Sequence, residues 1–185
     1  MTHKSIIRLN ILLALALPAL CGATDNRAPE LPPIAASLAV AEGNKVHFHA
    51  YAAGVQIYIA TPSAADPTQF VWTFTAPEAV LFDADGNTVG IHYAYAGPTR
   101  PAWETESGSL VVGARTVPPV TVTPGAIPWL IINAVQATGP GVLEPTTYIQ
   151  RVNTTGGVAP GTAPTQAGQE ARVPYTAEYY FYRAK

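Results

Sequence analysis

Apolar and polar positions alternate along most of the chain after residue 43. Over 45–51, Val46, Phe48 and Ala50 fall on one face and His47, His49 and Tyr51 on the other, the period of two expected of a half-buried strand. Gly54 opens 55–59, where Val55, Ile57 and Ile59 oppose Gln56 and Tyr58, so the two runs predict a hairpin. Residues 70–75 repeat the pattern with Phe70, Trp72 and Phe74 inward. Pro77 starts a further strand, 78–82, which turns through Asp83-Ala84-Asp85-Gly86-Asn87 and returns over 88–93. Strands at 110–117, 120–123, 127–135, 146–152 and 173–182 complete the set. The apolar run Ile127-Pro128-Trp129-Leu130-Ile131-Ile132 suits a central strand better than a helix, being β-branched and bounded by Pro124 and Gly139. Over 173–182, Val173, Tyr175, Ala177, Tyr179 and Phe181 line one face. The Gly-, Thr-, Pro- and Ala-rich stretch 154–169 between the last two strands reads as a surface loop.

About nine to ten short strands with no amphipathic helix predict an all-β, single-domain antiparallel β-sandwich or partly closed barrel. Periodicity leaves the strand order open. Trp72, Trp129 and Phe181 are the expected core aromatics.

Composition bounds this picture. The 185 residues suit one domain with a substantial core, and a charged content of only 12%, with 15 Gly and 18 Pro, suits short strands joined by tight turns. Three segments are expected: a signal peptide over 1–23, a Pro-rich extended arm over 24–43 and the all-β domain over 44–185. Lys4 and Arg8 precede a short apolar run, 11–17, and Cys21-Gly22-Ala23 offers a cleavage site, which implies a secreted or periplasmic protein. The alternative is a lipid anchor on Cys21, although Leu20 is a poor residue before a lipidated cysteine. Cleavage after Ala23 removes the only cysteine and leaves no disulfide.

No apolar run reaches the roughly 20 residues of a membrane-spanning helix. Without Lys4 and Arg8, eight basic residues face twelve acids, a net charge of −4, and the eight are scattered singly. Phosphate contacts need clustered Lys and Arg, so nucleic acid is excluded as a main partner.

Candidate chemistry concentrates in residues 90–106, which hold His92, Tyr93, Tyr95, Arg100, Trp103, Glu104 and Glu106. His47, His49 and His92 could offer three imidazoles to zinc or copper, but polar positions on a half-solvated strand explain them as well. The Asp83–Asn87 acids fail the calcium-loop spacing, which needs Gly at Thr88 and Glu at Ala94. No metal and no cofactor is expected. Glu104 or Glu106 could pair with Glu78 as acid and base. Ser107 and Ser109 lack the Gly-x-Ser-x-Gly elbow of a serine nucleophile. Arg151, between Gln150 and Val152, could clamp a carboxylate or sugar, or sit in a buried ion pair with Glu78 or Glu104.

Gly54-Val55-Gln56-Ile57-Tyr58, Ala76-Pro77-Glu78-Ala79, His92-Tyr93, Gly97-Pro98-Thr99, Ile127-Pro128-Trp129-Leu130, the run from Thr147 to Thr154 with Gly156-Gly157, and Pro174-Tyr175-Thr176-Ala177 occur in one order. In these motifs, over about 44–182, the chain resembles the secreted family catalogued as domain of unknown function 3455. The resemblance implies a domain without an assigned activity. Relatives often carry one cysteine near Ile59 or Ala60 and another in the late Gly-rich loop. This chain has neither, so the loop-tethering disulfide the resemblance implies is missing, and the spacing from His92 to Trp103 is longer here. Some fungal relatives are labelled malate dehydrogenase, yet no strand here leads into Gly-x-Gly-x-x-Gly and a helix.

Three functions follow as expectations. The first is a non-catalytic extracytoplasmic module that binds a carbohydrate or cell-surface ligand through His92, Tyr93, Trp103, Glu104 and Arg151, with Tyr93, Tyr95 and Trp103 as exposed stacking rings and 154–169 as a lid. The second is a secreted hydrolase or metal-dependent enzyme using His92, Glu104 and Arg151. The third is a purely structural envelope or matrix protein.

Overall fold

A computed structural model describes residues 27–98 and 100–185; the expected signal segment, with Cys21, lies outside them. Eight strands follow one another: β1 (Asn44–Pro62), β2 (Phe70–Phe82), β3 (Thr88–Ala94), β4 (Pro101–Thr105), β5 (Leu110–Arg115), β6 (Leu130–Thr138), β7 (Tyr148–Gly156) and β8 (Glu170–Ala184). Each pairs antiparallel with its sequence neighbours, and β8 returns to β1, so a single sheet closes into a ring. Closure leaves unpaired edge only where the long β1–β2 and β1–β8 pairings extend past the ring, over 70–77 and 170–174, and eight strands enclose just enough room for side chains or one small ligand. Among the described residues, no helix is long and apolar enough to cross a membrane.

The strand count falls below the expected nine or ten because two expected breaks are not breaks. β1 runs straight through Gly54, which sits opposite Ala79 on β2; a Cβ there would run into the Glu78 carbonyl and Ala79. Glycine at 54 therefore permits a close approach of two strands rather than a turn. Pro77 lies within β2, next to the register shift between Ile57 and Tyr58, where a missing N–H is tolerated. Residues 120–123 form no strand and contribute one bridge, Val120 to Trp129. Conversely, β4 is a strand that alternation did not predict.

Continuity of β1 fixes which residues face inward. With Phe48, Ala50 and Ala52 in the interior, a period of two carries Gln56, Tyr58 and Ala60 inward as well, and all three are buried. The face of Val55, Ile57 and Ile59 is thus the outer one.

Apolar side chains fill the end of the ring that holds the β2–β3, β4–β5 and β6–β7 turns. Phe48 packs on Phe181 at 5.2 Å, beside Leu81, Val111 and Ile149. Leu143, from the 139–147 connection, is fully buried in the same cluster. Trp103 meets Phe181 edge-on at 6.0 Å and caps this packed half.

A second cluster lies outside the ring. Pro33–Leu38 form a short 3₁₀ helix whose Ala35 and Leu38 are buried against Trp129, Ile131 and Val152, and Gln150 Nε2 donates to the Leu38 carbonyl at 2.7 Å. The expected extended arm is therefore, over 28–41, a cover for the outer face of β6, β7 and β8. Trp129 and Phe181 are buried as expected. Trp72 is not core: it is half-buried, with Nε1 donating to the Thr162 carbonyl at 2.9 Å.

Candidate functional site

Above Trp103 the ring is not filled. A cavity of about 610 Å³ occupies the end that carries the β1–β2, β3–β4, β5–β6 and β7–β8 connections. His92, Trp103, Arg151 and Tyr179 form its floor and one wall; Phe74, Ile127, Leu130 and Ile132 give apolar sides.

Register explains the floor. His92 on β3 lies directly opposite Trp103 on β4, so both point inward, and their rings stack at 4.5 Å with planes 10° apart. Tyr179 on β8 meets the Trp103 ring edge-on at 5.4 Å and the His92 ring at 5.1 Å. Gly113 on β5 makes room for this stack, since a Cβ there would collide with Ile132 Cγ2 and lie 3.3 Å from Trp103 Cζ3.

Arg151 reaches the same space from β7, where it pairs with Leu130 on one side and Tyr179 on the other. It is 9% exposed. Its Nε and Nη2 donate to the Pro128 carbonyl at 3.1 and 2.8 Å. The 127–128 backbone that holds it is itself anchored, because Ile127 N donates to the Gly156 carbonyl and Thr154 Oγ1 donates to the Ile127 carbonyl. Among the described residues no carboxylate pairs with Arg151; Glu178 meets His49 instead, and Glu78 and Glu170 meet Arg172.

The chemistry of the floor is neutral donors and acceptors around one cation. Burial, helped by the Arg151 charge, lowers the His92 pKa to about 3, so the imidazole is neutral at physiological pH. His92 Nδ1 donates to the Ala102 carbonyl at 2.8 Å, which leaves Nε2 as an acceptor. Burial also raises the Tyr175 and Tyr179 pKa values, so both phenols keep their protons. Gln56 Nε2, Trp103 Nε1 and the Tyr175 and Tyr179 hydroxyls are buried and lack a well-formed hydrogen bond, although Tyr175 lies near Gln56 and Tyr179, and Tyr179 near Arg151; Trp129 Nε1 in the outer cluster lacks one too. Tyr58, by contrast, is satisfied, donating to the Gly157 carbonyl at 2.7 Å.

Of the residues singled out from sequence, the structure brings His92, Trp103 and Arg151 to one cavity and separates Tyr93 and Glu104 from it. Tyr93 and Glu104 follow the alternation to the outer face, where the Tyr93 hydroxyl donates to Glu104 Oε2 at 2.9 Å. Trp103 is not an exposed stacking ring. It is fully buried, with one face against His92. Tyr95 is exposed, in the turn after β3. Glu78 pairs with Arg172 on the surface at 2.8 Å rather than with Arg151.

The three histidines do not meet. A bulge between Val46 and Phe48 takes His47 to Thr146 Oγ1, His49 stacks on Tyr180 and contacts Glu178 on the outer face, and His92 is inside. Among the described residues, no group of three His, Cys, Asp or Glu side chains is placed to hold a metal. The 157–169 connection is tied down rather than poised as a lid: Gly168 N donates to the Ala60 carbonyl, Ala60 N to the Gln169 carbonyl, and Trp72 to Thr162. None of its residues lines the cavity.

Gln56, Tyr58, Tyr179 and Arg115 were not singled out from sequence, and Arg100, at the cavity's margin with Arg115, was named only as part of the 90–106 segment. A continuous β1 carries the signal for the first two. Tyr179 was read only as a core face, and the two arginines had no local signature.

Fold and cavity together define an all-β protein whose closed antiparallel ring is packed at one end and hollow, with polar groups, at the other. The sequence profile of the family described as "Protein of unknown function (DUF3455)" matches residues 41–183, and the chain belongs to that family. No curated protein and no solved structure matches it.

Proposed function

We propose that the protein is a non-catalytic extracytoplasmic module that binds one small ligand inside the ring, with His92, Trp103, Arg151 and Tyr179 as the floor of the site. The observation that carries this is a cavity of about 610 Å³ lined by buried polar groups, of which Gln56 Nε2, Trp103 Nε1 and the Tyr179 hydroxyl lack a well-formed hydrogen bond. An unsatisfied buried donor costs about 1–3 kcal/mol, so several of them beside one cavity favour an occupant that completes their hydrogen bonds. The volume lies within the roughly 300–1,000 Å³ of small-molecule pockets. Sugar stacking on the protein surface has less support, because Trp103 offers no free face. Acid–base hydrolysis through His92, Glu104 and Arg151 has less support too, because the sheet stands between Glu104 and the other two.

The test is a fluorescence titration with N-phenyl-1-naphthylamine, a neutral probe that brightens in apolar surroundings. Saturable one-to-one binding is expected, together with at least roughly tenfold weaker binding to Leu130→Trp, whose indole projects into the cavity. Wild-type protein that is folded by near-UV circular dichroism and yet binds no probe would remove this function. So would unchanged affinity in a folded Leu130→Trp variant.

A further inference from the structure

We propose that the ligand is an organic monocarboxylate with an apolar body, its carboxylate on Arg151 and its body between Phe74, Ile127, Leu130 and Ile132. This rests on the reading that the ring interior is a binding site.

Charge distribution is the first reason. The chain holds twelve acids and ten basic residues, yet the cavity lining contains Arg100, Arg115 and Arg151 and no Asp or Glu. None of the three arginines belongs to an ion pair among the described residues. A site for a cation or a neutral polyol has no use for this asymmetry. Arg100 and Arg115 are exposed at the margin, where solvent and salt screen them, and they act at long range on the approach of an anion.

Geometry is the second reason. Arg151 is nine-tenths buried, its two bonds to the Pro128 carbonyl engage Nε and Nη2, and no carboxylate among the described residues reaches it. A buried cation without a counter-charge is costly, and a carboxylate supplies the counter-charge in the planar geometry a guanidinium fork prefers. The Tyr179 hydroxyl beside it is a second donor for the same head group.

The number of charges is the third reason. Only one permanent cation is buried at the floor, and its neighbour His92 is a neutral acceptor there. A phosphate dianion would call for more buried positive charge or a nest of backbone N–H groups. The four apolar side chains along the walls then select a ligand whose remainder is hydrocarbon or aromatic.

The experiment compares probes that differ in charge. Full-length protein is titrated with 1-anilinonaphthalene-8-sulfonate and with N-phenyl-1-naphthylamine, which shares its ring skeleton but lacks the anion; each is then displaced with decanoate or decanol. The anionic probe and decanoate are expected to bind at least roughly tenfold tighter than their neutral counterparts. Arg151→Gln should remove most of that preference and leave naphthylamine affinity within about threefold. Arg100→Gln with Arg115→Gln should mainly flatten the salt dependence. Near-UV circular dichroism checks that each variant is folded, since a molten variant also brightens the dye. Equal affinity for anionic and neutral probes, or an anion preference intact in Arg151→Gln, would overturn the carboxylate assignment while leaving the cavity's role standing. Failure of both probes to bind folded wild type would instead overturn the cavity's role, and this assignment with it.

Discussion

Below Trp103 the ring interior is closed by apolar side chains packed on one another; above it the same sheet surrounds a space lined by polar groups, several of which lack a well-formed hydrogen bond. Phe48, Leu81, Val111, Leu143, Ile149 and Phe181 make the lower half, whereas Gln56, His92, Arg151, Tyr175 and Tyr179 stand in the upper half. Both halves use the same strands, and Tyr179 and Phe181 are neighbours on one face of β8. The difference teaches that stability and recognition are segregated along the strand direction. One end supplies the burial that holds the ring closed, and the other can carry a buried charge and orphan donors because the first end offsets their cost.

The largest expected effect breaks the packed half. Phe181→Ala removes a fully buried ring that touches Phe48 and Trp103, and is expected to lower unfolding free energy by about 3–5 kcal/mol in denaturant titrations. A loss below about 1 kcal/mol would mean the lower half is not where stability resides.

How much of this contrast could be read in the chain depends on the range over which each signal acts. Alternation within five to ten residues was enough for the all-β class and for burial of Trp129 and Phe181. Gly54 and Pro77 misled because both residues are ambiguous: the same glycine serves a turn or a close strand approach, and which one applies depends on Ala79, twenty-five residues later. That single misreading split β1 and left the inward face of 55–59 unassigned, so Gln56 and Tyr58 were not recognised as interior. His92, Trp103 and Arg151 stood out by residue type, but Tyr93 and Glu104 were grouped with them by sequence proximity, which a strand period of two contradicts. Arg100 and Arg115 come to the same end as Arg151 through the pairing of β4 with β5, β5 with β6 and β6 with β7, and nothing local encodes those pairings.

Acid separates the halves next. His92 has a folded pKa lowered from 6.5 to about 3, mainly by burial, and His47 one lowered to about 4, also mainly by burial. Unfolded chains take up protons on both histidines below pH 6.5 while the folded state resists, so stability falls as pH drops from about 6.5 towards 4 and 3. Buried His92 contributes about 1.4 kcal/mol per pH unit within its window, and His47, which is partly exposed and screened by solvent, contributes less. His92→Gln is expected to shallow that slope in urea titrations run from pH 7 to 4. The Phe181→Ala deficit should stay constant over the same range, since Phe181, Phe48, Leu81 and Ile149 carry no titratable group. An unchanged slope in His92→Gln would show that the imidazole is not held neutral by burial.

Gly113 stands at the boundary between the halves. Gly113→Ala drives a methyl into Ile132 and against the Trp103 ring, with an expected cost of about 1–3 kcal/mol and a narrower cavity. Weaker naphthylamine binding alongside the stability loss would tie the Trp103 stack to the upper space. Loss of stability with full probe affinity would assign Trp103 to the packed half alone.

The smallest effect probes the outer face, where the sequence had grouped Tyr93 and Glu104 with the interior residues. The Tyr93 hydroxyl donates to Glu104 Oε2 at 2.9 Å, and partial burial, then this bond and the carboxylate's charge, push the phenol's pKa up to about 12. It is therefore a protonated donor throughout the neutral range. Tyr93→Phe removes one hydrogen bond near solvent, where water can satisfy Glu104, so the expected loss is no more than about 1 kcal/mol. Affinity for anilinonaphthalenesulfonate should not change, because the sheet lies between this pair and Arg151. A variant that keeps its melting temperature but loses probe affinity several-fold would place ligand recognition on the outer face of β3 and β4. The hollow upper half would then have no claim to be the site, since a change confined to the outer surface leaves Arg151, His92 and Tyr179 as they were.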